Sequence, residues 1–354
     1  MADEYRIDAH KLMYHPRRVA AWLEGRNIFP IYMEISPSGA CNHRCIFCSL
    51  DYMGYQNRRL ETARLLEIIR ELAAGGLKSL MYGGEGEPFL HPDMADIAAA
   101  AREAGIDNAF TSNGVLMTPE KIDRILPVSE WIKISCNAGT RECYAKMHRA
   151  KEADFDRVLD NLRYAVAYRK EKKLSCTLGI QTVLLEENLD TVEHLAERVR
   201  EIGLDYYVIK PYMPHHLNRH DFKINYEDCA ALKERLKSYE NEKFSIIFRM
   251  NAMKRHDSAR KEYACCYSLP FWSYLDAGGN IWGCSVHLTE KEYLFGNIYE
   301  QTFTEIWNGE KRKRFMEKFL GSPLPENCKI NCRMDEVNKY LWDLKNPVKH
   351  VNFI

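Results

Sequence analysis

The sequence predicts an α/β fold: an open, partial (β/α)6 barrel of the TIM type with a small C-terminal module. Three observations carry this expectation. Between residues 31 and 213 short β-rich runs alternate with helical patterns, which implies βα units and a parallel sheet. Beyond residue 213 that rhythm stops. From about 263 the chain turns to aromatics, a Gly-Gly pair and clustered cysteines.

Residues 1–28 form an N-terminal extension, and the barrel is expected over 29–222. Its strands are "IYMEIS" (31–36), "KSLMYGG" (78–84), "NAFTSN" (108–113), "WIKISCN" (131–137), "CTLGIQTVLL" (176–185) and "YYVIKPYM" (206–213). The first helix, "RLLEIIRELAAGG" (64–76), repeats apolar residues at helical spacing and stops at Gly75-Gly76. Others are expected near 92–104, 118–126, 154–171 and 190–202. Residues 223–262 read as a connecting helix and linker, with Asn225 capping a helix over 226–242. The C-terminal module takes 263–354. Active sites on such sheets sit at the carboxyl ends of the strands.

With 50 basic and 50 acidic residues the net charge is zero, so no strong field attracts nucleic acid or an anionic membrane. The N-terminus lacks the apolar core of a signal peptide and no apolar run approaches a membrane span, so the cytoplasm is the expected compartment. Twelve cysteines in such a compartment point to metal or redox chemistry rather than disulfides.

Cys41, Cys45 and Cys48 are spaced C-x3-C-x2-C directly after the first strand. So tight a loop can wrap one small inorganic core. Four-iron clusters normally take four cysteines, so three would leave one iron without a protein ligand. With Phe47 before the last cysteine, the motif resembles the signature of the radical S-adenosylmethionine superfamily. That resemblance implies a [4Fe–4S] cluster whose open iron chelates S-adenosylmethionine. It also implies an external electron donor such as flavodoxin or ferredoxin, whose electron releases a 5′-deoxyadenosyl radical that takes hydrogen from the substrate. A zinc knuckle is the alternative, with His43 inside the loop. "YGGEGEP" (82–88) ends the second strand where the superfamily carries a Gly-Gly-Glu motif. There Gly83, Gly84 and Glu85 would accept from the cofactor's amino group.

Strand parity adds candidates. Lys133, Ser135 and Asn137 share a face expected to look into the barrel, while Ile132, Ile134 and Cys136 should pack on helices. Ser112, Asn113 and Gln181 end neighbouring strands. These resemble family positions that hold the ribose, carboxylate and adenine, and ordinary strand-end turns explain them equally. Arg149 would pair with the methionine carboxylate or lie on the surface.

In the C-terminal module Cys266 and Cys284 bracket a hairpin turning at Gly278-Gly279, and Cys328 and Cys332 follow as C-x3-C. Four thiolates suit a fully ligated cluster that staples a module too small to bury its own core. The pattern resembles the Twitch extension, the short form of the SPASM domain, and implies a second [4Fe–4S] cluster, auxiliary and without an open iron. A structural zinc is the alternative, and Cys265 could replace Cys266.

Of the other cysteines, Cys136, Cys176 and Cys229 read as buried filler. Cys143 is the candidate hydrogen-atom donor. Lys210 should project at the barrel mouth, with His215, His216, Arg219 and His220 following, and a cation there wants a substrate carboxylate or phosphate. The short segment before the first strand leaves no room for a leader-recognition domain. The expected substrate is therefore a small anionic or polyhydroxylated molecule: a sugar, aminocyclitol or nucleotide derivative. The two-module plan resembles enzymes of the 2-deoxy-scyllo-inosamine dehydrogenase type, and oxidation or epimerisation is the expected outcome. The alternatives are a ribosomally made peptide as substrate and, in another class, a zinc-stapled nucleic-acid-binding protein.

Overall fold

The computed structural model describes residues 5–218, 220, 222, 224–258 and 260–353. Arg219 lies outside them. Its centre is a ten-stranded sheet built from β1 (Tyr32–Ile35), β2 (Ser79–Tyr82), β3 (Asp107–Ser112), β4 (Trp131–Ser135), β5 (Thr177–Leu184), β6 (Tyr206–Pro211), β7 (Ser245–Phe248), β8 (Trp272–Leu275), β9 (Asn280–Trp282) and β10 (Leu294–Asn297). The order is β10-β9-β8-β1-β2-β3-β4-β5-β6-β7. Strands β1 to β6 are the six read from the sequence, all parallel, with helices between them.

Two strands extend the barrel beyond the six expected. β7, inside the segment read as a linker, runs parallel to β6. Its four residues, "SIIF", are too short to show a period of two, and the charged run before them reads as loop. β8 belongs to the C-terminal hairpin and docks parallel to β1, flanked by Ile31 N–H to Phe271 O (2.8 Å) and Ser36 N–H to Leu275 O (2.8 Å). The hairpin is therefore continuous with the barrel sheet, because β1 would otherwise leave a row of backbone groups unpaired. The helix after Asn225 is shorter than expected: a 3-10 turn at Tyr226–Cys229 and an α-helix at Ala230–Lys237. Asn225 caps it through Glu227 N–H.

Parity holds along β4 itself, whereas Asn137 just beyond it is buried, its Oδ1 taken by Val183 N–H. Ile132, Ile134 and Cys136 are buried in the main core, while Lys133 and Ser135 on the opposite face are partly buried. Asp276 locks the hairpin turn. Its Oδ1 accepts from the N–H groups of Gly278 (2.8 Å) and Asn280 (3.0 Å), and its Oδ2 from Asn280 Nδ2 (2.9 Å) and Trp282 Nε1 (2.8 Å). Asp276→Ala would orphan these buried donors. It is expected to cost about 1–3 kcal/mol, the range for leaving a buried donor such as Trp282 Nε1–H unsatisfied, and to lower the thermal midpoint accordingly. A loss under about 1 kcal/mol would show that the turn holds without its carboxylate.

Candidate functional site

The loop after β1 carries Cys41, Cys45 and Cys48 over the carboxyl end of the sheet. Four hydrogen bonds fix its course. Leu60 N–H bonds Pro37 O (3.0 Å), Glu87 N–H bonds Ala40 O (2.9 Å), and Arg44 and Ile46 N–H bond His148 O (3.1 Å) and Met147 O (3.0 Å). The turn after β2 presses against the same loop. Gly84 has φ +104, and a Cβ on Gly86 would lie 2.3 Å from both Ser38 O and Ala40 O. Only glycine permits either feature.

The three thiols sit within electrostatic reach of one another. Burial, then Cys48 and Cys41, push the Cys45 thiol well up; burial pushes Cys41 up to about 11 and raises Cys48. Three mutually repelling sulfurs in a poorly solvated loop are a donor set that a cationic metal core would stabilise as thiolates. His148, fully buried at 0 % exposure, places Nδ1 3.3 Å from Cys45 Sγ. His43, buried beside it, has no hydrogen-bond partner on either ring nitrogen among the described residues.

The strand-end residues are tied together. Glu87, which the sequence reading passed over, accepts from Ser112 Oγ (2.7 Å), Asn113 N–H (2.8 Å) and Phe89 N–H (3.2 Å), and burial still raises its carboxyl above the usual range. Asn113 Nδ2 donates to Asn42 Oδ1 in the cysteine loop (2.7 Å). Glu85 is engaged from the other side: Oε1 by Ala277 N–H (2.7 Å) and Oε2 by Arg58 (3.2 Å), so it fastens β2 to the hairpin. Gln181 Nε2 donates to Ser135 Oγ (2.8 Å), and Asn137 Oδ1 accepts from Val183 N–H (2.6 Å). Arg149 ends its helix in the left-handed region (φ 46) and is exposed. Cys143 turns its thiol to Glu187 O (3.5 Å) and the Thr191 hydroxyl (3.6 Å).

The histidines after β6 are staples. His215 bonds Val286 O (2.7 Å) and stacks on Tyr52, His216 meets Glu290 (3.4 Å), and His220 meets Asp51 (2.7 Å). They join the cysteine loop to the C-terminal segment. Lys210 is different. Burial, and then Lys133, Arg249 and Lys329, hold its ammonium down at about 7; burial, then Arg249 and Lys11, hold Lys133 at about 8. Among the described residues no carboxylate lies in ion-pair range of Lys133, Lys210 or Lys329, and Arg249 is shared with Asp8 (3.2 Å).

A depressed lysine contributes stability that is present above its unfolded value of 10.5 and lost as pH falls through the folded value near 7. Lys210→Met is therefore expected to be more stable than the parent at pH 6 by roughly 1–4 kcal/mol, with the gain vanishing near pH 11. Paired thermal melts across that range check it. An equal gain at both ends would contradict a buried charge as its cause.

The second thiol group forms where expected. Burial, then Cys266 and Cys328, push Cys284 up to about 12, and Cys332 is raised by burial, Asp335 and Cys284. Cys266, Cys284 and Cys328 line one small cavity. Cys265 turns away, its thiol on Gly321 O (3.2 Å), so Cys266 is the member of this group. Lys329 is within electrostatic reach of both thiol groups: burial holds its ammonium down near 8, while Cys332, Cys48 and Cys284 draw it upward. Neither Lys329 nor His148 stood out in the sequence, since both are brought in by chain segments remote from the triplet.

Residues 35–199 match the Radical SAM superfamily. Residues 263–333 match the iron-sulfur cluster-binding SPASM domain, and the chain is a radical SAM enzyme with a C-terminal SPASM domain. It is 22% identical over 335 residues to a tungsten-containing aldehyde ferredoxin oxidoreductase cofactor-modifying protein of Pyrococcus furiosus (87% of this chain, 89% of that one). It is 23% identical over 324 residues to an AdoMet-dependent heme synthase of Methanosarcina barkeri (85% and 87%). In fold it resembles Streptococcus suis SuiB bound to the precursor peptide SuiA, at TM-score 0.67 and 18% identity, covering 87% of this chain and 71% of that one. Among the described residues no helix is long and apolar enough to cross a membrane.

Proposed function

We propose that the chain abstracts a hydrogen atom from an anionic substrate held between two iron–sulfur centres. Cys41, Cys45 and Cys48 would hold the cluster that binds S-adenosylmethionine, and Cys266, Cys284, Cys328 and Cys332 a single auxiliary [4Fe–4S] cluster. The observation that supports this reading most is the segment after β6, which touches both cysteine-bearing loops: Asn218 Nδ2 donates to Cys48 O (2.9 Å), and His215 bonds Val286 O (2.7 Å), two residues after Cys284. The reduced cluster and S-adenosylmethionine, when bound, supply the hydrogen-abstracting radical.

The chain's own residues do the rest. The backbone at Gly83 and Gly84, with Ser112, Asn113, Ser135, Asn137, Gln181 and Arg149, would orient the cofactor. Glu85 would act chiefly through the hairpin it fastens. Lys210, with Lys133 and Lys329, would hold the substrate's carboxylate or phosphate. Uncompensated ammonium groups in a poorly solvated site are costly unless a ligand supplies the counter-charge. Cys143, hydrogen-bonded to Glu187 and Thr191, would donate a hydrogen atom only after leaving them.

A peptide is the substrate class better supported, because the SuiB structure carries a precursor peptide; the anion would then be an acidic side chain or a terminal carboxylate. The second reading is a small cofactor-like molecule, favoured by the names of the Pyrococcus and Methanosarcina relatives.

Calorimetric titration of the loaded enzyme distinguishes an anion site from a neutral one. Citrate and pyrophosphate are expected to bind, glucose not, and Lys133→Met/Lys210→Met to weaken the anions at least about tenfold, one charged contact's worth. An acidic peptide that binds far more tightly than citrate favours the peptide reading. Equal binding of citrate by the parent and the double variant would overturn the lysine assignment.

A further inference from the structure

We infer that His148 is a positioning residue for the N-terminal centre: it holds a neutral imidazole whose Nδ1–H donates to the Cys45 sulfur and raises the reduction potential of the cluster bound there. The inference rests on the assignment of Cys45 as a cluster ligand.

The tautomer follows from geometry. Asn137 N–H donates to His148 Nε2 at 3.0 Å. A backbone amide has no lone pair to offer, so Nε2 must present its own and the ring proton sits on Nδ1. That nitrogen is 3.3 Å from Cys45 Sγ, inside the range of an N–H···S bond. The ring cannot turn to another partner. It is completely buried, stacked on Tyr144 (4.3 Å between centroids) and met edge-on by Phe47 (5.5 Å). Its backbone is held as well: His148 closes the helix Arg141–His148, and His148 O and Met147 O accept from Arg44 and Ile46 on either side of Cys45. One helix end thus grips the cysteine loop by backbone and side chain together.

Donation to a ligating sulfur withdraws charge from it and favours the reduced state of the core. The rival is a mononuclear metal on His43, Cys45 and His148, whose ligand atoms lie within 4.8 Å of one another. It would require the lone pair on Nδ1. The proton would then move to Nε2 and face the Asn137 N–H, donor against donor at 3.0 Å.

The test is an EPR-monitored redox titration of the reconstituted enzyme without substrate, comparing the parent with His148→Leu and His148→Gln. Glutamine can accept from Asn137 with Oε1 and donate to Cys45 with Nε2. At the parent's midpoint the reduced-to-oxidised ratio of the N-terminal cluster is expected to fall about tenfold in His148→Leu, or about 59 mV for one electron, and to recover most of that in His148→Gln. Should His148→Leu fail to hold iron, pulsed EPR of the 15N-histidine-labelled parent decides. A weakly coupled histidine nitrogen that disappears in His148→Gln supports the bond, and its absence from the parent overturns it. A midpoint unchanged in both variants, or one zinc retained per chain through His43 and His148, also overturns it. Failure of the underlying assignment looks different: the iron content of Cys45→Ala would equal that of the parent.

Discussion

Cys45→Ala is expected to lose about half of the iron and sulfide bound after anaerobic reconstitution, falling from about eight irons per chain to about four. Cleavage of S-adenosylmethionine should fall with it to the level of enzyme-free buffer. The loss is complete because the chain has no substitute chemistry: its residues bind and orient, and the cluster supplies the electron. Cys45 is the central thiol of the triplet, pushed well up by burial and then by Cys48 and Cys41. Cys284→Ala should also lose about half of the iron, but from the other centre, since Cys284 is grouped with Cys266 and Cys328. That variant should retain the EPR change on adding S-adenosylmethionine, which Cys45→Ala should lack. Identical spectra for the two would mean that the thiols do not form two separate groups.

Gly86→Ala is the second large effect. The added methyl would fall 2.3 Å from Ser38 O and Ala40 O and 2.9 Å from Gly39 C, all backbone atoms of the loop that carries Cys41. A flexible side chain could yield, but this loop is tied at Leu60, Glu87, Arg44 and Ile46. Overpacking of this kind costs about 1–3 kcal/mol, and here relief requires moving the cysteine loop itself. The expected result is a lower thermal midpoint together with loss of iron from the N-terminal centre, the auxiliary centre being retained. Gly83→Ala serves as the stability control, because its nearest neighbours would be 3.5 Å away, at ordinary contact distance. A Gly86→Ala protein with the parent's melting point and iron content would show that the turn and the loop are not coupled.

The six central strands were legible because each is a β-rich run separated by an amphipathic helix, and the thiol groups because cysteine spacing survives without any knowledge of the fold. β7 was hidden by its length of four residues, and the docking of β8 on β1 by its distance along the chain. The site itself was legible only in part. Ser112 and Asn113 stood out by their strand-end positions, whereas Glu87, which binds both, looked like a repeat of Glu85 in "GEGEP". The two glutamates divide the work in a way that spacing does not reveal, Glu87 holding β3 and Glu85 holding the hairpin. His215, His216 and His220 read as companions of Lys210 at the barrel mouth and are cross-links between segments. Lys329 and His148 reach the thiols from the far end of the sequence and from the helix after β4, which no local pattern records.

On the proposed function, the triplet leaves one corner of its cluster open to S-adenosylmethionine. The most direct measurement is chromatographic assay of 5′-deoxyadenosine and methionine after anaerobic reduction of the reconstituted parent chain with S-adenosylmethionine and no substrate. Both products are expected in equal amounts, and neither from Cys45→Ala. Iron-loaded, reduced parent protein that leaves S-adenosylmethionine intact would contradict the proposed function.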